Sequence, residues 1–264
     1  MEKLIIFALF LSSCNMSSGN SDAVTDYYAV TINFQNDELI KNIQTKIYGA
    51  FVQSIMNKDA TELDNMANAL ESLQKEQSNN LIQYWRAYNQ YYLSILYTTM
   101  EDKEQSKAHI EKGIDIMSNL KNKNSEDYAL LALLQSFSIQ FKSGIGAGFM
   151  SNKVKKNAQK AKEMDATNLR AYFVLGSSDY YTPATYGGGK KTEEYLLKAL
   201  DCPDQKVENL YLPSWGREVA YEILLKHYIK NEEWDKAKSH FQNAKSQFPN
   251  SYAINNIASE LVGK

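Results

Sequence analysis

The chain has 264 residues, 44% of them hydrophobic, and a formal net charge of −2. That length supports one sizeable core or a small solenoid, and the near-neutral charge argues against a nucleic-acid binder, which would show a basic stripe. With only Cys14 and Cys202, a disulfide-built fold and a Cys-rich zinc site are excluded as well. Four Pro and twelve Gly lie mostly outside the periodic runs, which favours an all-helical protein over a barrel or sandwich.

The first residues stand apart from the fold. Lys3 precedes an apolar run, Leu4 to Leu11, too short to span a bilayer as a helix. Leu11-Ser12-Ser13-Cys14 follows and resembles a bacterial lipobox. The resemblance implies that residues 1–14 form a lipoprotein signal and that Cys14 is lipidated on its thiol as the new N-terminus. Residues 15–36 divide into a small, polar tether and a β-branched, aromatic stretch, Asp26 to Phe34, expected to be a short extended segment. Residues 37–264 are expected to form one helical domain.

In that domain, apolar residues recur at helical spacing. Asp37 is positioned to cap a first helix with Ile40, Ile43, Ile47, Phe51 and Ile55 on one face, and Thr61 to Glu76 forms its partner. Leu81 to Met100, dense in aromatic residues, pairs with Glu104 to Leu120. The helix from Glu126 is apolar almost all round and is expected to be central. A long turn, Gly144 to Met150, should lead to a return helix from Asn152 to Met164. Tyr172, Leu175 and Gly176 open a fourth pair, closed after an enlarged turn at residues 182–190 by Thr192 to Leu200. Ser214 is expected to cap a helix beginning at Trp215, and Ser251 to Val262 to cap the array.

The clearest repeat lies between Tyr221 and Pro249. Tyr221, Leu224, Leu225 and Tyr228 share one helix face, and Ala237, Phe241 and Ala244 another, before Pro249 ends the run. Large and small residues in this order over about 34 residues resemble the tetratricopeptide repeat (TPR), with Leu225 where Gly is commonest and Tyr221 where Trp is. A single hairpin cannot bury its own apolar face, so neighbours are expected. The resemblance implies an all-α fold, about five antiparallel hairpins in a right-handed TPR-like superhelix with a C-terminal capping helix.

No catalytic set emerges. His109, His227 and His240 share no metal-ligand spacing, Glu193 and Glu194 project to different sides of a helix, and neither His-Glu-x-x-His nor Gly-x-Ser-x-Gly occurs. Gly187-Gly188-Gly189-Lys190-Lys191-Thr192 falls short of a phosphate loop, because Ala184 stands where the first Gly belongs. Lys153-Val154-Lys155-Lys156, with Lys160 and Lys162, reads as a solvated helix face. The expectation is a non-enzyme without cofactor or metal.

Two features are candidates for binding. Tyr84, Trp85 and Tyr88, with Tyr180 and Tyr181, fall on first helices of hairpins, which line the concave surface of TPR arrays; such residues more often serve inter-helix packing. The Gly-rich turns, with Phe149 and Met150 on one and Tyr186, Gly187, Gly188 and Gly189 on the other, should lie side by side on one rim. The turn from Thr182-Pro183 to Gly189 after a Tyr-Tyr pair, with the lipobox, resembles TPR-like envelope lipoproteins and, more loosely, the T-component partners of TRAP transporters. These resemblances imply a lipid-anchored module of the bacterial envelope, periplasmic or on the outer membrane. It would bind a protein or peptide or, alternatively, serve a transport system as a ligand-binding accessory.

Overall fold

The computed structural model describes residues 38–203 and 209–264. Cys14, the tether, the extended segment and Asp37 lie outside the described residues. Among these, the regular elements are helices: α1 Ile43–Asn57, α2 Thr61–Glu76, α3 Asn80–Thr99, α4 Lys103–Asn119, α5 Ser125–Ser138, α6 Gly144–Met164, α7 Leu169–Tyr181, α8 Thr192–Asp201, α9 Arg217–Lys230, α10 Trp234–Gln247 and α11 Tyr252–Leu261. No helix among the described residues is long and apolar enough to cross a membrane.

The chain's small polar residues set the starts of these helices. Asn79, Asp102, Asn168 and Ser251 each accept a backbone N–H from the first turn of α3, α4, α7 and α11. Asn124 and Asp127 form a reciprocal capping box at the start of α5. Three short turns between paired helices share one geometry. Lys58, Glu101 and Glu232 take left-handed backbone with φ of 57°, 63° and 60°. In each case the next residue's N–H returns to the carbonyl five residues back: Asp59 to Ser54, Asp102 to Tyr97 and Glu233 to Tyr228.

The helices pair as α1–α2, α3–α4, α5–α6, α7–α8 and α9–α10, and α11 closes against α9 and α10. The first helix of each hairpin also packs on the first helix of the next, so α1, α3, α5, α7 and α9 form the inner layer. Small residues permit the close approaches. Ala237 and Ala244 are fully buried on α10. A Cβ at Gly176 would fall 2.7 Å from the Leu196 side chain, so α7 and α8 touch there.

Three expectations are corrected. The first helix begins at Ile43, not near Asp37; residues 38–42 form a turn that buries Ile40 and ends on Asn42, left-handed at φ 56°. Gly144 to Met150 is not a turn. After a 3-10 turn at Ile139–Phe141, Gly144 supplies φ 51° and the helix runs unbroken from it, so Gly146 and Gly148 lie inside α6. The paired Gly-loop rim therefore does not form as expected. The helix is anchored further along, by fully buried Val154, Ala158 and Ala161, while Ile145 and Phe149 project outward at 93% and 62% exposure. Finally, Ser214 caps nothing. Its N–H is given to Gln44 Oε1 at 2.8 Å, and Trp215 precedes α9, whose N-cap is Gly216 at φ 113°.

Candidate functional site

The inner layer determines what the concave face can offer. Its aromatic residues touch in series: Tyr84 on Trp85, Trp85 on Tyr88, Tyr88 on Tyr92 and Tyr91, and Tyr91 on Phe137, with ring centroids 5.0–6.4 Å apart. Tyr48 and Phe51 of α1 join through Tyr92. Such contacts favour edge-to-face geometry, as most of these have.

This face is occupied by the chain's own connector. The segment from Asn209 to Gly216, between hairpins four and five, crosses back to hairpins one and two. Asn42 N–H donates to Leu210 carbonyl at 2.8 Å, and Trp85 Nε1 donates to Tyr211 carbonyl at 2.9 Å. Trp215 is the centre of the contact. Its Nε1 donates to Tyr84 Oη at 2.8 Å, and its ring stacks on Tyr88 and meets Phe173 edge-on. Beneath it lies a buried ion pair: Arg170 Nε and Nη2 donate to the two Glu126 oxygens at 2.5 and 2.6 Å, while Nη1 reaches the Trp215 carbonyl. The fork geometry satisfies both carboxylate oxygens, as a buried pair requires.

Tyr84, Trp85 and Tyr88, candidates for a concave binding face, are therefore core residues that the connector covers. Burial pushes the Tyr88, Tyr91 and Tyr92 hydroxyls above the usual tyrosine range, and those of Tyr88 and Tyr92 share a hydrogen bond at 3.4 Å. Tyr180 and Tyr181 differ. They close the end of α7 edge-to-face, and Tyr181 is 48% exposed. Nearby on α9, burial raises the Glu222 carboxyl pKa, partly offset by Lys226, whose ammonium bonds it.

The turn after α7 is built around Asp179. Its carboxylate accepts Lys191 N–H at 2.8 Å and Thr192 Oγ1 at 2.9 Å, and its carbonyl accepts Gly189 N–H. A Cβ at Gly188 would lie 1.9 Å from the Thr182 carbonyl oxygen, while Gly187 and Gly189 have φ of 85° and 81°. Turn geometry thus accounts for the glycine run. The fold brings Tyr180, Tyr181, Tyr186 and Gly187 to Gly189 to one end of hairpin four. Tyr186 stands out from this end at 83% exposure.

One constellation was not legible in the sequence. Glu193, His227 and Glu233, from three helices or their ends, bring one ligand-type atom each within 4.8 Å of one another. Lys236 Nζ already bridges both carboxylates, at 2.8 Å from Glu193 and 2.5 Å from Glu233, and Tyr228 Oη donates to Glu193. Those bonds hold the Glu193 carboxyl below its ordinary range. Burial pushes the His227 imidazole below its ordinary range, the nearby Glu193 and Glu233 carboxylates opposing, and Asn231 Nδ2 lies beside its Nε2. The cluster joins hairpins four and five as an ion-pair network with its own cation. Two surface depressions of about 500 and 520 Å³ lie elsewhere, one at Arg86, Glu111 and Asp115, the other at Tyr172, Tyr195 and Lys198. Neither contains any residue of the inner face or the Gly turn named above.

No protein-family model matches the chain, and no curated protein matches it. Among solved structures it is similar to a thermophilic TPR protein of Thermus thermophilus. The TM-score is 0.53 at 13% identity, over 82% of this chain and 99% of that one. The fold is TPR-like: helical hairpins stacked as a repeat superhelix.

Proposed function

We propose that the chain is a non-enzymatic interaction module of the bacterial cell envelope, tethered through a lipid on Cys14 and binding a protein or peptide at the exposed end of hairpin four. The observation that carries the binding surface is the contrast within one set of tyrosines. Tyr84 and Tyr88 are consumed by packing, whereas Tyr181, at the end of α7, and Tyr186, on the following turn that Asp179 ties together, stay exposed. Rigid aromatic groups on an ordered turn bind at low entropic cost. The tether rests on the apolar run Leu4 to Leu11 and the Leu11-Ser12-Ser13-Cys14 that ends it, and the TPR-like fold supports the interaction role only as a class of scaffold.

The test is an affinity capture from crosslinked bacterial envelopes with the native chain, Cys14→Ala, and Tyr181→Ala/Tyr186→Ala. A partner lost with the double tyrosine variant supports the hairpin-four surface, and one lost with Cys14→Ala supports the tether. Capture unchanged by the tyrosine pair rejects that surface.

A second reading, a ligand-binding accessory of a transport system, is favoured by one detail. The Tyr48 hydroxyl is buried without a hydrogen-bond partner among the described residues, in the same aromatic layer as Tyr92. A small-ligand screen by thermal shift, repeated on Tyr48→Phe, separates the readings: hits that vanish with Tyr48→Phe belong to the accessory.

A further inference from the structure

Helix α6 carries an outward face with two kinds of side chain in sequence. From Ile145, steps of 100° per residue place Phe149, Lys153, Lys156 and Lys160 within an arc of about 80° on one side. All five are exposed. The residues that anchor the helix, Val154, Ala158 and Ala161, fall on the opposite side and are fully buried. The face therefore begins with an apolar tip and continues as a cationic run, about 22 Å from end to end at 1.5 Å per residue. Lys153 Nζ lies 4.8 Å from the Phe149 ring centroid, which joins the two parts. Lys155 lies about 80° beyond the edge of this arc, Lys162 is turned towards α7 beside the Tyr172 ring, and the helix's one acid, Glu163, shares the angle of Ile145 at the far end of the face.

This face is unusual for the chain in three respects. Net charge over the whole sequence is −2, yet α6 concentrates five lysines against one carboxylate. Among the described residues Lys153 and Lys156 have no carboxylate within ion-pair distance, and Lys160 has Glu163 at 3.9 Å only. Ile145 is the most exposed large apolar side chain described. Gly146 and Gly148 leave the tip free of further side chains, and a Cβ at Gly148 would meet open space. Exposed glycines disfavour a helix relative to Ala, and core packing gives no reason for these two.

We propose that the outer face of α6 lies against an anionic phospholipid surface, with Ile145 and Phe149 entering the headgroup region and Lys153, Lys156 and Lys160 over the lipid phosphates. Apolar side chains with a cationic row on one helix face are the pattern of an interfacial helix. Charge complementarity selects anionic over zwitterionic lipid. The docking would fix which side of the array faces the bilayer and leave hairpin four's turn, on a different hairpin, to the partner. It depends neither on that partner nor on a lipid at Cys14.

The test is vesicle co-sedimentation of the full chain carrying Cys14→Ser, with phosphatidylcholine vesicles and with vesicles containing phosphatidylglycerol. Binding is expected only to the anionic vesicles and to weaken with salt. Lys153→Gln/Lys156→Gln/Lys160→Gln should lower the partition coefficient at least about tenfold, since each lysine near an anionic surface contributes on the order of 1 kcal/mol. Ile145→Ser/Phe149→Ser should lower it about as much. Lys103→Gln/Lys107→Gln/Lys121→Gln, which removes the same charge from other exposed positions, should leave it unchanged. All variants alter exposed side chains, and circular dichroism checks that each folds. The proposal is overturned if the parent ignores anionic vesicles, or if the α6 variants bind as well as the parent. It is also overturned if soluble polyglutamate competes with vesicles and the apolar pair has no effect, which would mark the face as a site for acidic polymers.

Discussion

Hairpin five and hairpin two solve the same packing problem by different means. In hairpin five, Tyr221, Leu225, Ala244, Ile254 and Ile257 form a small cluster of their own, built from α9, α10 and α11, which are neighbours in sequence. In hairpin two, Tyr84, Trp85 and Tyr88 are too large for a repeat of small and large residues, and their contacts come from Tyr211 and Trp215, well over a hundred residues away. A repeat that keeps the consensus order of sizes closes on its neighbours alone. One that replaces it with aromatic residues needs something else to close over them, and here the connector does so.

The largest effects are expected where the connector rests. Arg170→Met leaves Glu126 buried without its cation, and we expect a loss of about 3–5 kcal/mol in urea unfolding. Adding Glu126→Leu should return much of it. If Arg170→Met costs under about 1 kcal/mol, the connector is not seated on this pair. Trp215→Ala should cost about 3 kcal/mol, with a red-shifted emission from Trp85 once its cover is gone. An unfolding midpoint unchanged from the native chain would mean that hairpin two needs no cover.

Asp127 makes stability at the start of α5 depend on pH. It is buried at the start of α5, Oδ1 has no hydrogen-bond partner among the described residues, and burial pushes its carboxyl from 3.8 to about 7, the bond from Asn124 opposing. The folded state thus binds the proton more tightly than the unfolded chain. This group's contribution is therefore most favourable below pH 4 and declines as pH rises towards about 7, by on the order of 4 kcal/mol in all and about 2–3 kcal/mol between pH 5 and pH 8. Asp127→Asn should remove that decline, measured as chemical stability at pH 5 and pH 8. Equal slopes in both proteins would refute it. The smallest effect is expected outside both regions. Gly188→Ala meets the Thr182 carbonyl oxygen and should cost about 1–2 kcal/mol, with the loss of protection from hydrogen exchange confined to residues near the turn.

The sequence was readable where contacts are local. Helical spacing in Tyr221 to Tyr228 and the small residues Ala237 and Ala244 led directly to two packed helices, and the remaining hairpins followed within a few residues. The reading failed where backbone choice is governed by something distant. Gly144, Gly146 and Gly148 looked like a loop because glycine disfavours helix, but the buried residues of α6 hold the helix together beyond them. Ser214 looked like a cap because Ser before an apolar run often is one, but Gln44 takes its N–H instead. The inner aromatic set was found, and packing was its commoner role, but no pattern around Tyr84 records that Trp215 will be the residue that covers it. The cluster at Glu193, His227 and Glu233 left no spacing signal because it joins three helix ends.

The returning connector also changes how the array can fold. A repeat protein whose units touch only adjacent units can nucleate anywhere and grow in either direction. Here hairpins one and two are not complete until residues 210–215 have been made and brought back, a separation of 170 positions for the bond between Ser214 and Gln44. The N-terminal half waits on the C-terminal half, so unfolding should be a single cooperative event and not a fraying of repeats from one end. By the same logic, hairpins cannot be added to or removed from the middle of this array without stranding the aromatic layer that the connector closes.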